Sequence, residues 1–349
     1  MCYSSRMNSG SGGPGGSKGA HGFVPVLLAL IGNILVTTIK TVVALSSGSS
    51  AMFSEAVHSV ADTLNQLLLL VGVVRSRKKP SGEFVYGYGN ERFFWALISA
   101  CGIFFIGAGV TIYHGVTSLA EGTGAHITGG AFVVLGISFV IEFATFWVAA
   151  RNLVRTHPDS TWLERYHEAD PSTLAVCIED GIAVLGVIVA AIAIALSYLT
   201  GNFVWDGIGS IVIGVMLAMA AIVLITKNRS YLIGRSIPLD ERDEIIELLQ
   251  ADPAIERVID FKSTILDIGV YRIKCEIEFN GPALMNDAYQ QENLRDEYDN
   301  VKDDFEEFKK FCVDFSDRIP RMMGRRIDEI EARLKAHFPH VRYIDIEIN

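Results

Sequence analysis

The chain has 349 residues, 50% of them hydrophobic, with a positive mean hydropathy of +0.32 and a formal net charge of -10. That apolar share exceeds the usual soluble composition and points to several bilayer spans. The acidity argues against a nucleic-acid partner, which needs a basic surface. Cys2, Cys101, Cys177, Cys275 and Cys312 show no close pairing, so neither a disulfide framework nor a zinc ribbon is indicated.

Residues 1–22 are rich in Gly and Ser and have no charged start leading into a cleavable apolar core, so a flexible tail is expected there. Six apolar blocks follow, at about 23–45, 51–74, 93–119, 129–150, 172–198 and 205–226, each near the ~20 residues needed to cross ~30 Å of hydrocarbon. The connection 75–92 carries Arg75, Arg77, Lys78, Lys79 and Arg92. The connection 151–171 carries Arg151, Arg155 and Arg165, and Lys227, Arg229 and Arg235 follow the last block. The other three connections, 46–50, 120–128 and 199–204, contain no Lys or Arg. The bias of positive charge toward the inner face places both termini in the cytoplasm. Small residues recur on single helix sides, as in Gly102, Gly107 and Gly109 or Gly207, Gly209, Ser210 and Gly214, and are read as packing seams.

From residue 234 onward the chain reads as a soluble domain, and residues 236–349 hold 27 Asp and Glu against 16 Lys and Arg. A helix is expected from Pro238 to Leu249 with Asp240 as its cap, then strands Val258–Ile265 and Val270–Phe279 around a turn at Asp267–Gly269. The charged stretch 284–319 with scattered Phe is read as helix, Arg325–Phe338 as an amphipathic helix and Tyr343–Ile348 as a last strand. The pattern α-β-β-α-β is that of a small α+β module. The expected organisation is thus an α-helical membrane protein: a tail (1–22), a six-helix transmembrane domain (23–233) and a C-terminal cytoplasmic domain (234–349) with a helical insertion near 284–319.

Chemistry concentrates in the second block. Glu55, His58, Asp62 and Asn65 recur at three- or four-residue steps and share one face of a helix at lipid depth, where ionisable groups face the bundle interior or a wet cavity. An imidazole one turn from a carboxylate is half of a site for a divalent transition metal such as Zn²⁺. The fifth block supplies Asp180 as partner, with Glu179 about 100° around the helix. One turn before Asp180 stands Val176, so no second His is available there; water, Glu179, Cys177 or Asn65 would complete the sphere. Asn33 and Lys40 in the first block and Glu142 in the fourth are further polar groups at depth that could pair with one another, relay protons or gate a path. His337 and His340 are read as surface histidines and Cys275 as core.

The segments Ala51-Met-Phe-Ser-Glu-Ala-Val-His58-Ser-Val-Ala-Asp62, Asp180-Gly-Ile-Ala-Val-Leu-Gly186 and Trp205-Asp206-Gly-Ile-Gly-Ser-Ile-Val-Ile-Gly214 together resemble the cation diffusion facilitators, zinc transporters with six spans and a cytoplasmic ferredoxin-like domain. The resemblance runs from Phe23 to Asn349 apart from the insertion. It implies transport of a divalent cation at His58, Asp62 and Asp180, Zn²⁺ moving outward in exchange for protons, and a homodimer in a membrane, expected to be the bacterial inner membrane. The usual fifth-span His falls on Val176, and Glu179 before Asp180 resembles the zinc-transporter-nine-like branch. Tyr86-Gly-Tyr88-Gly stands where many members carry a His-containing loop, so no second zinc site is expected there. Mn²⁺ or Fe²⁺ stays open as the cargo, because oxygen-rich coordination weakens the preference for zinc. A membrane metal sensor or scaffold is the rival outside transport. A metallohydrolase lacks its His-Glu-x-x-His motif, so an enzyme is not expected.

Overall fold

The computed structural model describes residues 20–121, 129–156, 171–289 and 294–349. The expected tail before Ala20 and the connections 122–128 and 157–170, with Arg165, lie outside them. Six long helices come first: α1 (Ala20–Ser47), α2 (Ser50–Ser76), α3 (Glu91–Glu121), α4 (Gly129–Thr156), α5 (Pro171–Thr200) and α6 (Val204–Ile233). Helices α2 to α6 are each long and apolar enough to cross a membrane; α1 runs 28 residues, apolar from Asn33 to Ser47 in its described part. Gly48 stops α1 in the left-handed conformation (φ 63°), returning its N–H to the Ala44 carbonyl. Helix α3 contains a π-helical segment over Ile103–Ala108, which sequence periodicity did not reveal; the Gly109 N–H reaches back five residues to the Phe104 carbonyl.

The C-terminal module follows as α7 (Leu239–Gln250), β1 (Ile255–Asp267), β2 (Val270–Phe279), the short helices α8 (Gly281–Tyr289) and α9 (Leu294–Val301), the long α10 (Phe305–His337) and β3 (Val341–Ile348). The sheet order is β1-β2-β3. β1 and β2 form an antiparallel hairpin with Phe261 opposite Cys275, and β3 joins β2 in parallel with Ile344 opposite Ile273. This α-β-β-α-β order is a ferredoxin-like pattern without its first strand. Two expectations are corrected. Asp240 does not cap α7: Pro238 occupies the cap position, and Asp240 lies in the first turn, where its charge favours the helix dipole. The segments read as two helices around 320 are one helix, since α10 continues through Pro320, whose missing N–H interrupts the ladder without ending it.

The described residues divide into two compact units: those within 20–67, 99–151 and 176–222 form one, and those within 68–98, 152–175 and 223–349 the other. The first has a core of small and branched side chains, among them Ala51, Met52, Ala56, Leu135, Val187, Ala190, Ile194, Ile213 and Leu217. The expected seam holds at α6: a Cβ on Gly209 would stand 2.4 Å from Cβ of Ala193, and one on Gly214 2.5 Å from Ile112. Close approach of helices there requires glycine. Gly102, in contrast, faces open space and is no part of a seam.

The second unit is built on Ile245, Leu249, Ile273, Cys275, Ile277, Ile330 and Leu334, all at most 1% exposed. Phe93, from the start of α3, belongs to this core and packs on Tyr231 with ring centroids 4.8 Å apart. The loop before it is clamped as well. Arg92 pairs with Asp267 at 3.2 Å, and Tyr86 meets Tyr343 edge-on at 5.0 Å under the Arg272 guanidinium.

Candidate metal site

Helix α2 carries the stripe that the sequence singles out, and its N-terminus is held from α6. Asp206 accepts hydrogen bonds from the Ser49 hydroxyl (2.7 Å) and from the backbone N–H groups of Ser50 (2.5 Å) and Ala51 (3.3 Å). A carboxylate from another helix thus caps the first turn of α2, satisfying donors that have no partner within the helix. Ser54 bonds Ser210 at 2.6 Å, and Ser210 donates to the Thr111 carbonyl, so α2, α3 and α6 are joined just below the cap. Asp206 was visible only as part of a motif. Its role is legible from its place, an acid in a span's first turn beside connections with no Lys or Arg, where backbone N–H groups are the available partners.

One turn deeper, Lys40 of α1 is fully buried and bridges two carboxylates, Glu55 Oε2 at 3.2 Å and Glu142 Oε1 at 2.6 Å. Lys40 and Glu142 do meet, and Glu55, grouped by sequence with the metal face, is the third member. Glu55 Oε1 nests against Gly186 of α5, where any Cβ would lie 2.6 Å away. Glu55 Oε1 and Glu142 Oε2 are buried without a hydrogen-bond partner.

His58 follows, 2% exposed, and its Nε2 lies 3.3 Å from Asp62 Oδ2. Neither ring nitrogen makes a hydrogen bond. An imidazole buried in this way loses its contacts with water and gains none in return unless a ligand binds it. Asp62 is a quarter exposed on its side chain, the more open of the pair.

Helix α5 brings the second group of acids. Glu179 accepts a 2.5 Å bond from Asn65 Nδ2, and Asn65 Oδ1 accepts one of 2.5 Å from Ser99 of α3. Asp180 lies within electrostatic reach of Asp62 and His58, while the Thr145 hydroxyl of α4 donates to the Glu142 carbonyl at 2.9 Å. The two acids point in different directions, as their 100° separation requires, with Glu179 turned to Asn65 of α2. Among the described residues no three His, Cys, Asp or Glu side chains converge closely enough to hold one ion, so in this conformation the α2 pair and the α5 acids stand as two half-sites. Cys177 is half-buried with a free thiol, and Val176 is 43% exposed. His337 and His340 are exposed, and Cys275 is core.

Six long helices that bury carboxylates and an imidazole within their spans, followed by a small α+β module, define an integral membrane protein with ionisable groups in its interior. Residues 26–233 match the cation efflux transmembrane domain, and the chain belongs to the cation efflux, or cation diffusion facilitator, family. It is 36% identical over 329 residues, 93% of its length, to the human proton-coupled zinc antiporter SLC30A9, mitochondrial, of which it covers 58%. It is also 36% identical over 340 residues to metal tolerance protein C4 of Arabidopsis thaliana, covering 94% of this chain and 73% of that one. The chain thus spans less than two thirds of the length of the zinc antiporter it matches.

Proposed function

We propose that this protein carries Zn²⁺ across its membrane in exchange for protons, at a site made by His58 and Asp62 of α2 and Asp180 of α5, with Glu179 and Asn65 supporting it and Cys177 at its margin. The observation that carries the reading is His58: buried, without a hydrogen bond on either nitrogen, and 3.3 Å from a carboxylate. The names of the human and plant relatives, a proton-coupled zinc antiporter and a metal tolerance protein, agree with it.

Metal binding needs these groups deprotonated, and protons rebinding on the far side release the ion, so one set of side chains serves both cargoes. The half-sites come together on the ion as α5 and α2 close. Lys40 and Glu142 gate or relay protons beside the site. The positive charge of the connections supports a cytoplasmic position for the termini and the C-terminal module, with export running outward from there. The protein works as a homodimer held through that module, each protomer with its own path. A bacterial inner membrane, expected from the sequence, finds no support in the relatives, of which SLC30A9 is mitochondrial by name.

Uptake into vesicles loaded with the purified protein tests the reading, with Zn²⁺, Mn²⁺, Fe²⁺ and Cd²⁺ offered under an imposed pH gradient. His58→Ala and Asp180→Ala each abolish Zn²⁺ flux, and Glu179→Ala reduces it. Full activity of Asp180→Ala removes that residue from the site, and metal binding without any flux favours a sensor. Val176, standing where a second imidazole would be, favours one further reading: Mn²⁺ or Fe²⁺ as cargo, shown by flux of those ions exceeding that of Zn²⁺.

A further inference from the structure

Between α2 and α3 the chain runs Arg77-Lys-Lys-Pro-Ser-Gly-Glu-Phe-Val-Tyr-Gly-Tyr-Gly-Asn90, with Arg77, Lys78 and Lys79 against the single acid Glu83, a balance of +2 in a protein of net charge -10. The loop has a built shape. The Ser81 and Gly87 N–H groups both donate to the Phe84 carbonyl, the Ser81 and Tyr88 hydroxyls bond at 3.1 Å, and Gly87 turns the chain at a φ of 87°, which favours glycine. One side of it is tied to the C-terminal module by the Tyr86 and Arg92 contacts described above.

The anchoring leaves a basic and apolar patch facing outward. Arg77, Lys78 and Lys79 are exposed and, among the described residues, none of them pairs with an acid; the Lys78 ammonium lies 5.7 Å from the centre of the Tyr88 ring. Phe84 is 50% exposed and Val85 66%. The flanking arginines are already engaged, Arg75 with Glu91 at 3.9 Å and with the Trp95 ring, Arg92 with Asp267. The acidic C-terminal module thus takes Arg92 and leaves the three cations of the loop uncompensated.

Position selects the partner. Helix α2 ends at Ser76 and α3 begins at Glu91, and both are spans, so the three cations stand within about one helical turn of a span's end. Trp95, whose indole N–H donates to Glu91 at 2.7 Å, is the kind of amphipathic ring found at headgroup level. Topology requires only that such charges stay on one side of the bilayer; a loop of fixed shape with an exposed apolar pair beside them presents a surface. We infer that residues 77–88 dock on anionic phospholipid, Arg77, Lys78 and Lys79 binding headgroup phosphates in the leaflet where α2 and α3 emerge, and Phe84 and Val85 entering the interface beside them. Each such cation strengthens association with an anionic leaflet about fivefold, an effect that salt weakens. Because Tyr86 and Arg92 join this loop to β3 and the β1–β2 turn, docking also fixes that edge of the module at the leaflet.

The experiment is hydrogen exchange by mass spectrometry on the full chain in nanodiscs, of phosphatidylcholine alone or mixed with phosphatidylglycerol; these present both leaflets, so the result does not depend on orientation. Amides of 77–88 should exchange at least threefold more slowly in the anionic discs, and the difference should vanish near ~1 M salt, where screening reaches ~3 Å. Arg77→Gln/Lys78→Gln/Lys79→Gln should exchange alike in both discs, and Phe84→Ser/Val85→Ser should narrow the difference, with unchanged exchange in α7 showing that each variant is folded. Equal exchange of the wild type in the two discs at low salt overturns the inference and needs no variant. Protection by anionic lipid that survives the glutamine variant also overturns it, as does equal protection by millimolar inorganic phosphate in neutral discs, which would make the loop a site for a free anion. A difference left whole in the Phe84 and Val85 variant removes the apolar pair from the surface.

Discussion

Lys40→Met isolates the most exposed assumption about the membrane interior, that one ammonium neutralises two carboxylates. Lys40 has no exposed side-chain surface, and neither has Glu55; Glu142 is 16% exposed. With all three ionised the cluster carries one net negative charge, spread over α1, α2 and α4. Methionine keeps the length and apolar stem of lysine but removes the charge, leaving two carboxylates within reach of one another and no cation between them. Removing one partner of a buried ion pair costs about 3–5 kcal/mol, because the remaining charge stays desolvated. Since 1.4 kcal/mol is tenfold, that is a shift of roughly 100- to 4,000-fold in the folding equilibrium.

The assay is thermal unfolding in detergent, followed by tryptophan fluorescence and by loss of the monodisperse peak. A control separates charge from packing. Lys40→Met/Glu55→Gln/Glu142→Gln removes all three charges while keeping the shapes, and replacing a whole buried ion cluster by neutral groups is close to neutral in stability. The triple variant should therefore melt near the wild type and the single variant well below it. If Lys40→Met melts with the wild type, or the triple variant is no better than the single one, the cluster is not an ionic lock. The triple variant then serves the functional question, since a gate or proton relay built from these residues predicts a folded protein with altered dependence of flux on the pH gradient.

Three further outcomes follow from particular contacts. Asp206→Ala strips the α2 cap of one hydroxyl and two backbone donors and should destabilise the protein by about 1–3 kcal/mol, whereas Asp206→Asn, still an acceptor, should recover much of that; equal melting of the two variants removes the capping role. Gly89→Ala places a Cβ 2.3 Å from the Leu266 carbonyl oxygen and 2.7 Å from Asp267 Cβ, contacts that backbone cannot yield, so hydrogen exchange at the β1–β2 turn should rise with no change in the α2 cap. Asp252 is buried, and although burial alone would raise its carboxyl, the Ala254 N–H and the guanidiniums of Arg326 and Arg333 outweigh that and hold it below the ordinary carboxylate range. Its stabilisation is therefore complete above about pH 4, the unfolded value, and is lost as pH falls through the lower folded one. Hydrogen exchange in α7 and α10 should rise as pH falls below about 4 in the wild type, and Asp252→Asn, already weakened at pH 7, should show less of that rise.

The elements of this fold were legible because the signals that make them are local. Twenty-residue apolar runs fix helices in lipid, and the alternation in Val270–Phe279 fixes a strand with the bounds the structure shows. What stayed hidden depended on partners distant in sequence or on backbone detail. A three-residue step groups Glu55 with His58 on one face, but it does not say that Glu55 answers to a lysine on another helix. That depends on Gly186 leaving room for its oxygen across α5. The cap residue predicted for α7 failed for a related reason. Asp240 is a good capping residue by type, yet Pro238, two positions earlier, already has the extended ψ of 147° from which the helix starts, so the acid falls inside the first turn.

The candidate site shows the same division. Spacing placed His58 and Asp62 together, and the structure agrees to 3.3 Å, because both residues ride on one rigid helix. The α5 acids depend instead on how two helices sit against each other, and here the bond from Asn65 to Glu179 decides. While Asn65 holds Glu179, that acid does not face His58 as a metal ligand would. An ion at the proposed His58 and Asp62 site would draw on Asp180, the α5 acid within electrostatic reach of both, because a divalent cation attracts a carboxylate strongly at this depth. Asn65, lacking a charge, gives up less when Glu179 stays where it is. This asymmetry is why Asp180 is the α5 residue assigned to the ion and Glu179 the one assigned to support. Reversed sensitivities, with flux surviving Asp180→Ala but not Glu179→Ala, would show that the hydrogen-bonded arrangement seen here is not the one from which metal is taken up.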